Sequence, residues 1–188
     1  MNQKDELELL LKENSIIQNI LELTPKLNMP NWYLGAGCIS QTVWNILHEY
    51  EPTRGIKDYD LVYYDKSDIS YNGEDKYIKK GKKLFKDISA KVEIINEARV
   101  HLWYEKRFGK KIKQYKSVED AISSWPTTVT TISVRYNDNR LEIFAHHGLD
   151  DLFNMIVRPN KVQVSKERYT KKANRWKKNW PKLTIIKW

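Results

Sequence analysis

Short β-rich runs alternate with segments of helical periodicity along almost the whole chain. That alternation confines the fold to a sheet flanked by helices. Over 5–23, Leu9, Ile16, Ile20 and Leu23 form one apolar row and Leu10, Ile17 and Leu21 another, at helical spacing. Pro25 and Pro30 mark the exit from that predicted helix. Trp32-Tyr33-Leu34 predicts a short strand that runs into Gly35-Ala36-Gly37-Cys38-Ile39-Ser40. A helix is expected over 40–50, with Val43, Ile46 and Leu47 inward. Residues 57–65, KDYDLVYYD, predict a second strand, 74–88 a basic helix, 91–95 a third strand and 97–107 a helix closed by Phe108-Gly109-Lys110. Ser117-Val118-Glu119-Asp120 has the form of a capping box. Thr128 to Tyr136 and Arg140 to Ala145 are β-rich on either side of Asn137-Asp138-Asn139, which predicts a hairpin. Helices are expected over 148–157 and 165–180. The fold class is α/β (α+β): a mixed sheet flanked by helices, with a basic C-terminal helix.

Charge divides the chain more sharply than pattern does. The formal net charge is +9, from 33 Lys and Arg against 24 Asp and Glu. Of these, 11 bases and one acid, Glu167, fall in 158–188, so that segment carries +10 and residues 1–157 carry −1. Two units are expected: a nearly neutral domain over 1–157 and a basic extension over 158–188 packed on it. Such an extension is an electrostatic footprint for RNA or another polyanion. Trp176 and Trp180 lie four apart on its helix, where they either pack the tail onto the body or stack bases. No apolar run reaches the ~18–20 residues that cross a bilayer. The start, MNQKDELELL, has acids where a secretory signal needs bases. Cys38 is the single cysteine, which excludes an intrachain disulfide framework and a multi-thiolate metal site. A soluble, cytoplasmic protein without a membrane partner is expected.

Three features carry chemistry. Asp58 and Asp60 are two apart on a predicted strand, so both carboxylates face one way. Like charges that close raise each other's pKa, and a dication relieves them. Oxygen-only pairs suit Mg²⁺, which shares its coordination with substrate phosphates. The bare spacing also suits a solvated strand end. Gly35-Ala36-Gly37 lies between a predicted strand and a predicted helix, where small residues let backbone N–H groups reach a phosphate. Ser40 offers a hydroxyl there, and Cys38 at the helix start is expected to be acidified. A tight turn needs the same glycines. Glu93 falls on the third predicted strand, and three carboxylates from two neighbouring strands can hold two metal ions for phosphoryl displacement. Glu97 is the alternative third acid. Asn96, Arg99 and His101 form either a substrate-contacting edge or a helix start tied by side chains. His146-His147 with Asp150-Asp151 lacks the i, i+4 histidine pair of a zinc helix.

The order strand, glycine turn, helix, D-x-D strand and later acid resembles the nucleotidyltransferase superfamily. More closely, the chain resembles a bacterial nucleotidyltransferase-like family formerly catalogued as a domain of unknown function. The matching blocks are WYLGAGCISQTVWNIL, DYDLVYYD, INEARVHLWYEKRFG, SVEDAISSWPTT and HHGLDDLFNMIVRPN, in that order over 30–180. The resemblance implies a sheet of nucleotidyltransferase type and an Mg²⁺- or Mn²⁺-dependent enzyme. Such an enzyme moves a nucleotidyl group from an NTP to RNA, protein or a small molecule. It implies Asp58 and Asp60 as the metal-binding pair and Glu93 as the third catalytic and metal-binding carboxylate. Gly35, Gly37, Cys38 and Ser40 would face the triphosphate. The chain departs from the superfamily in two ways. Twenty residues separate Gly37 from Asp58, more than is usual, and Ile39-Ser40-Gln41 stands where relatives often have an arginine. Lys57, Arg54 or a tail lysine would then clamp the triphosphate. The competing expectation is a catalytically inactive module of the same fold that binds nucleic acid through 158–188.

Overall fold

The computed structural model describes residues 2–137 and 140–188. The first apolar rows form two helices rather than one, α1 (Gln3–Lys12) and α2 (Ser15–Leu23). Asn14 makes the break. Its side-chain carbonyl accepts from the N–H groups of Ile16 and Ile17, both at 3.1 Å, and its amide donates to Thr42 Oγ1 at 2.8 Å. Those bonds satisfy donors that a continuous helix would have claimed.

The remaining elements follow in chain order. They are β1 (Tyr33–Gly35), α3 (Gly37–Leu47), β2 (Tyr59–Tyr63), α4 (Tyr71–Leu84) and β3 (Val92–Asn96). Then come α5 (His101–Phe108), α6 (Val118–Ser123), β4 (Ile132–Asn137), β5 (Arg140–Ala145), α7 (Asp150–Phe153), β6 (Ile156–Val157), α8 (Lys166–Asn179) and β7 (Thr184–Ile185). The main sheet has the order β3-β2-β1-β4-β5. Its β2–β3 pair is parallel and its other pairs are antiparallel, which makes it mixed. The turn expected at Asp138-Asn139 lies outside the described residues; Asn137 and Arg140 beside it are paired across the hairpin.

Strand alternation gives the sheet two unlike faces. Leu34, Leu61, Tyr63, Ile94, Ile132 and Val134 face the main core, where α1, α2 and α3 bury their apolar rows. Tyr33 and Val62 face the other way and meet Val118 and Ile122 of α6. Trp125, just beyond α6, packs on the same face and stands against Gly35.

The C-terminal third departs from the expected pattern. The helix expected over 148–157 is one turn, α7, because Met155 adopts φ 53° and turns the chain into β6, which pairs in parallel with β7. The helix expected over 97–107 starts with a 3-10 turn, Glu97–Arg99, before α5. Tyr169, Ala173 and Trp176 of α8 point into the main core. Trp176 and Trp180 pack on Trp44 with centroids 5.1 and 5.6 Å apart, and the Trp180 indole donates to Asn45 Oδ1 at 2.7 Å. Both tryptophans are therefore core residues and offer no stacking face to a base. Among the described residues, no helix is long and apolar enough to cross a membrane.

Candidate active site

Register places Gly35, Asp60 and Glu93 side by side on three adjacent strands. Gly35 pairs with Asp60, and Asp60 with Glu93. Directly opposed residues share a face at Cβ separations of about 5 Å. Asp58 precedes β2 by one residue and sits beside Asp60 at the strand's N-terminal end. The four residues therefore meet where β1 hands over to α3. The first turn of α3 is bound to this spot: the Cys38 thiol donates to the Gly35 carbonyl at 3.0 Å. No side chain caps α3, so its leading N–H groups are not claimed by a cap.

Cys38 and Ser40 differ from expectation. Burial, with Asp60 beside it, pushes the Cys38 thiol up rather than acidifying it. Ser40 is fully buried and its hydroxyl donates to the Gly37 carbonyl at 3.3 Å, so it does not face a phosphate. Ala36 bridges strand and helix at φ 63°, a strained setting for a residue with a side chain.

The two glycines are unequal. A Cβ on Gly35 would lie 2.7 Å from Ser133 Cβ and 3.1 Å from both the Ile132 carbonyl oxygen and Trp125 Cζ3. A Cβ on Gly37 would meet only the Gln41 side chain, at 2.6 Å from its movable amide nitrogen. Gly35→Ala should lower the melting temperature by several degrees, as overpacking of about 1–3 kcal/mol implies, and Gly37→Ala by little. Thermal unfolding of the two variants checks this, and equal losses would contradict it.

Electrostatics centre on Asp60. Burial first, and then the charge of Asp58, pushes its carboxyl up to about 7. Lys172 of α8 opposes that rise, and burial pushes Lys172 itself down to about 8. A residue of the basic extension thus lies within electrostatic range of the acid pair. Its Nζ lies 4.7 Å from the Trp176 ring centroid. Lys172 belongs to no motif. The signal that finds it is helical: Arg168, Lys172 and Arg175 recur at i, i+4 and i+7 beside the buried row of α8. Glu93 is level with Asp60, but its carboxylate pairs with Lys91.

Among the described residues, no three His, Cys, Asp or Glu side chains gather closely enough to hold a metal by themselves. Two adjoining carboxylates, one of them reluctant to ionise, nevertheless fit Mg²⁺, which takes one or two protein oxygens and fills its remaining positions with water and substrate phosphates.

Beyond β3, the chain is held by a buried polar network. Glu74 accepts from the Asn96 N–H at 2.9 Å and from Arg99 Nη1 at 2.6 Å. Asn96 Oδ1 accepts from the N–H groups of Asp65 and Ala98, both at 3.1 Å. Asn96 and Arg99 are thus structural ties. His101 does not share a helical face with Glu97, which lies in the 3-10 turn. His146 and His147 touch edge to face, while Asp151 binds Arg158 and Thr128 and Asp150 accepts from Gln3.

Glu97 itself is 5% exposed. Burial, and then Asp60, pushes its carboxyl up to about 8 from an ordinary value of 4.5. The native chain therefore keeps a proton that the unfolded chain has released across that interval, so stability falls as pH rises through it. Glu97→Gln should flatten the fall in melting temperature between pH 6 and pH 9, with a gain of several degrees at the alkaline end. Parallel curves for the two chains would contradict this.

The fold agrees with comparisons to known proteins. Residues 22–185 match a family model described as Nucleotidyltransferase. Among solved structures, the chain is similar to a protein whose NMR structure reveals a CCA-adding enzyme head domain. The two are 25% identical with a TM-score of 0.78, over 100% of this chain and 97% of that one. No curated protein matches the chain.

Proposed function

The chain belongs to the nucleotidyltransferase family, and from that membership and its site we propose that it transfers a nucleotidyl group from an NTP to an acceptor hydroxyl, with Asp58 and Asp60 as the metal-binding pair. The observation that carries this reading is the row Gly35, Asp60 and Glu93, set with Asp58 against the uncapped start of α3.

In this reading Asp58 and Asp60 hold Mg²⁺ or Mn²⁺, with Glu93 as the third carboxylate. When bound there, the cation draws in phosphate oxygens and offsets charge on the leaving group. The N–H groups of Gly37 and its neighbours point toward the phosphates, aided by the positive helix end. Lys172 supplies the fixed positive charge that Ile39-Ser40-Gln41 does not. Glu93 orients the acceptor hydroxyl and takes its proton. The acceptor oxygen bonds to the α-phosphorus, the bond from that phosphorus to the bridging oxygen of the β-phosphate breaks, and pyrophosphate leaves.

RNA is the acceptor class that the charge distribution favours. Arg168, Lys171, Lys172 and Arg175 line one open cleft of α8, beside the acid pair. Four lysines, Lys110, Lys111, Lys113 and Lys116, line another. Positive clefts of this kind attract polyphosphate backbones. The test is incubation of the full chain with each α-phosphate-labelled NTP, Mg²⁺ or Mn²⁺, and total cellular RNA or protein. The expected result is label in RNA with matching release of pyrophosphate. Absence of label and pyrophosphate, with salt-sensitive RNA binding retained, contradicts the enzyme and favours a binding module.

A further inference from the structure

Next to the acid pair lies a cavity that nucleotidyl transfer as such does not explain. It encloses about 200 Å³. Trp103, Tyr104 and Phe108 of α5 form one wall, Trp125 another, and Glu97 lies within its lining. The rings are packed on one another: Tyr104 and Phe108 meet edge to face at 4.6 Å, and the guanidinium of Arg168 lies 3.7 Å from the Phe108 centroid.

Three observations connect the cavity to the acid pair. Trp125 stands over Gly35, within 3.1 Å of where its Cβ would be. Arg168, Val164 and Pro126 line both this cavity and the open cleft containing Lys172. Glu97 follows Glu93 by four residues along β3 and its turn, and that span is at most ~13 Å at strand rise, on the scale of the reach from the phosphates of a nucleotide to its base. Within the cavity, the apolar lining is largely aromatic. Among the described residues no Lys, Arg or His forms an ion pair with Glu97, and the Trp125 indole is the donor beside it. A carboxyl with a single donor beside it has acceptor positions left over that a ligand can fill.

We propose that this cavity receives the base of the NTP, stacked on the α5 rings, with Glu97 accepting hydrogen bonds from N–H groups on the base edge. The proposal rests on the nucleotidyl-transfer reading and extends it: the enzyme selects its nucleotide within this domain, by a side chain rather than by a bound partner. Stacking supplies affinity for any base, and Glu97 supplies the discrimination.

The test measures equilibrium binding to the full chain in Ca²⁺, by calorimetry and by tryptophan fluorescence. Ligands are the individual NTPs, inorganic tripolyphosphate and a short single-stranded RNA. The preferred NTP should bind at least about tenfold more tightly than tripolyphosphate and quench tryptophan emission. Glu97→Ala, which removes the acceptor, should reduce that advantage about tenfold and leave tripolyphosphate binding unchanged. Tripolyphosphate binding as tightly as every NTP would overturn the base pocket and leave the transfer reading intact. So would RNA that quenches the tryptophans where NTPs do not, since the acceptor would then hold the cavity. Binding of neither NTP nor tripolyphosphate would overturn both. The comparison within the unaltered chain stands whether or not the variant folds.

Discussion

Asp60→Asn is expected to abolish nucleotidyl transfer, with a rate at least about a thousandfold below that of the unaltered chain, because it removes the electrostatic anchor of the phosphates. The same substitution should not unfold the protein. Burial and the Asp58 charge already oppose ionisation of Asp60, so a neutral amide of the same shape removes a repulsion. In metal-free buffer near pH 8, the variant's melting temperature should equal or exceed that of the unaltered chain. Rate and unfolding must be read together: loss of both indicates a folding defect, and loss of rate alone supports the site. Full activity in the variant would remove Asp60 from the mechanism.

The second large effect is expected at Lys172. It is the charge that couples the basic extension to the acid pair, and burial in that position already opposes its proton. Lys172→Met keeps an unbranched side chain of similar length and removes the charge, together with its contact to the Trp176 ring. The KM for NTP should rise roughly ten- to a hundredfold, with a smaller change in kcat, as expected when the lost contact binds the triphosphate in both ground and transition states. Lys172→Arg should recover part of the loss. An unchanged KM would mean that the extension only packs on the body.

The succession of strands along the chain, the glycine turn and the spacing of Asp58 and Asp60 are legible in the sequence, because they follow from two periodicities and a few breakers. What the sequence hides depends on partners distant along the chain. Asn14 splits the first helix because its amide finds Thr42. The one-turn α7 gives way to β6 because β7, almost thirty residues later, is there to pair with it. Gly35 and Gly37 look alike in the sequence, but only the neighbouring strand β4, through Ser133, makes the first one obligatory. The acidified thiol expected at Cys38 follows the helix-start rule, and burial overrides it. The basic tail reads as an extension packed on the body, but its docking point is hidden: Trp44 anchors it, which brings Lys172 within electrostatic range of Asp60.

The most direct test uses Mn²⁺ as a paramagnetic probe. Amide resonances of the full chain are assigned, and Mn²⁺ is added with a non-hydrolysable NTP. The account predicts selective broadening centred on residues 35–38 and 58–60, weakened in Asp60→Asn. Broadening centred instead on other acids, such as Asp65 and Asp68, or none that depends on the nucleotide, would contradict it.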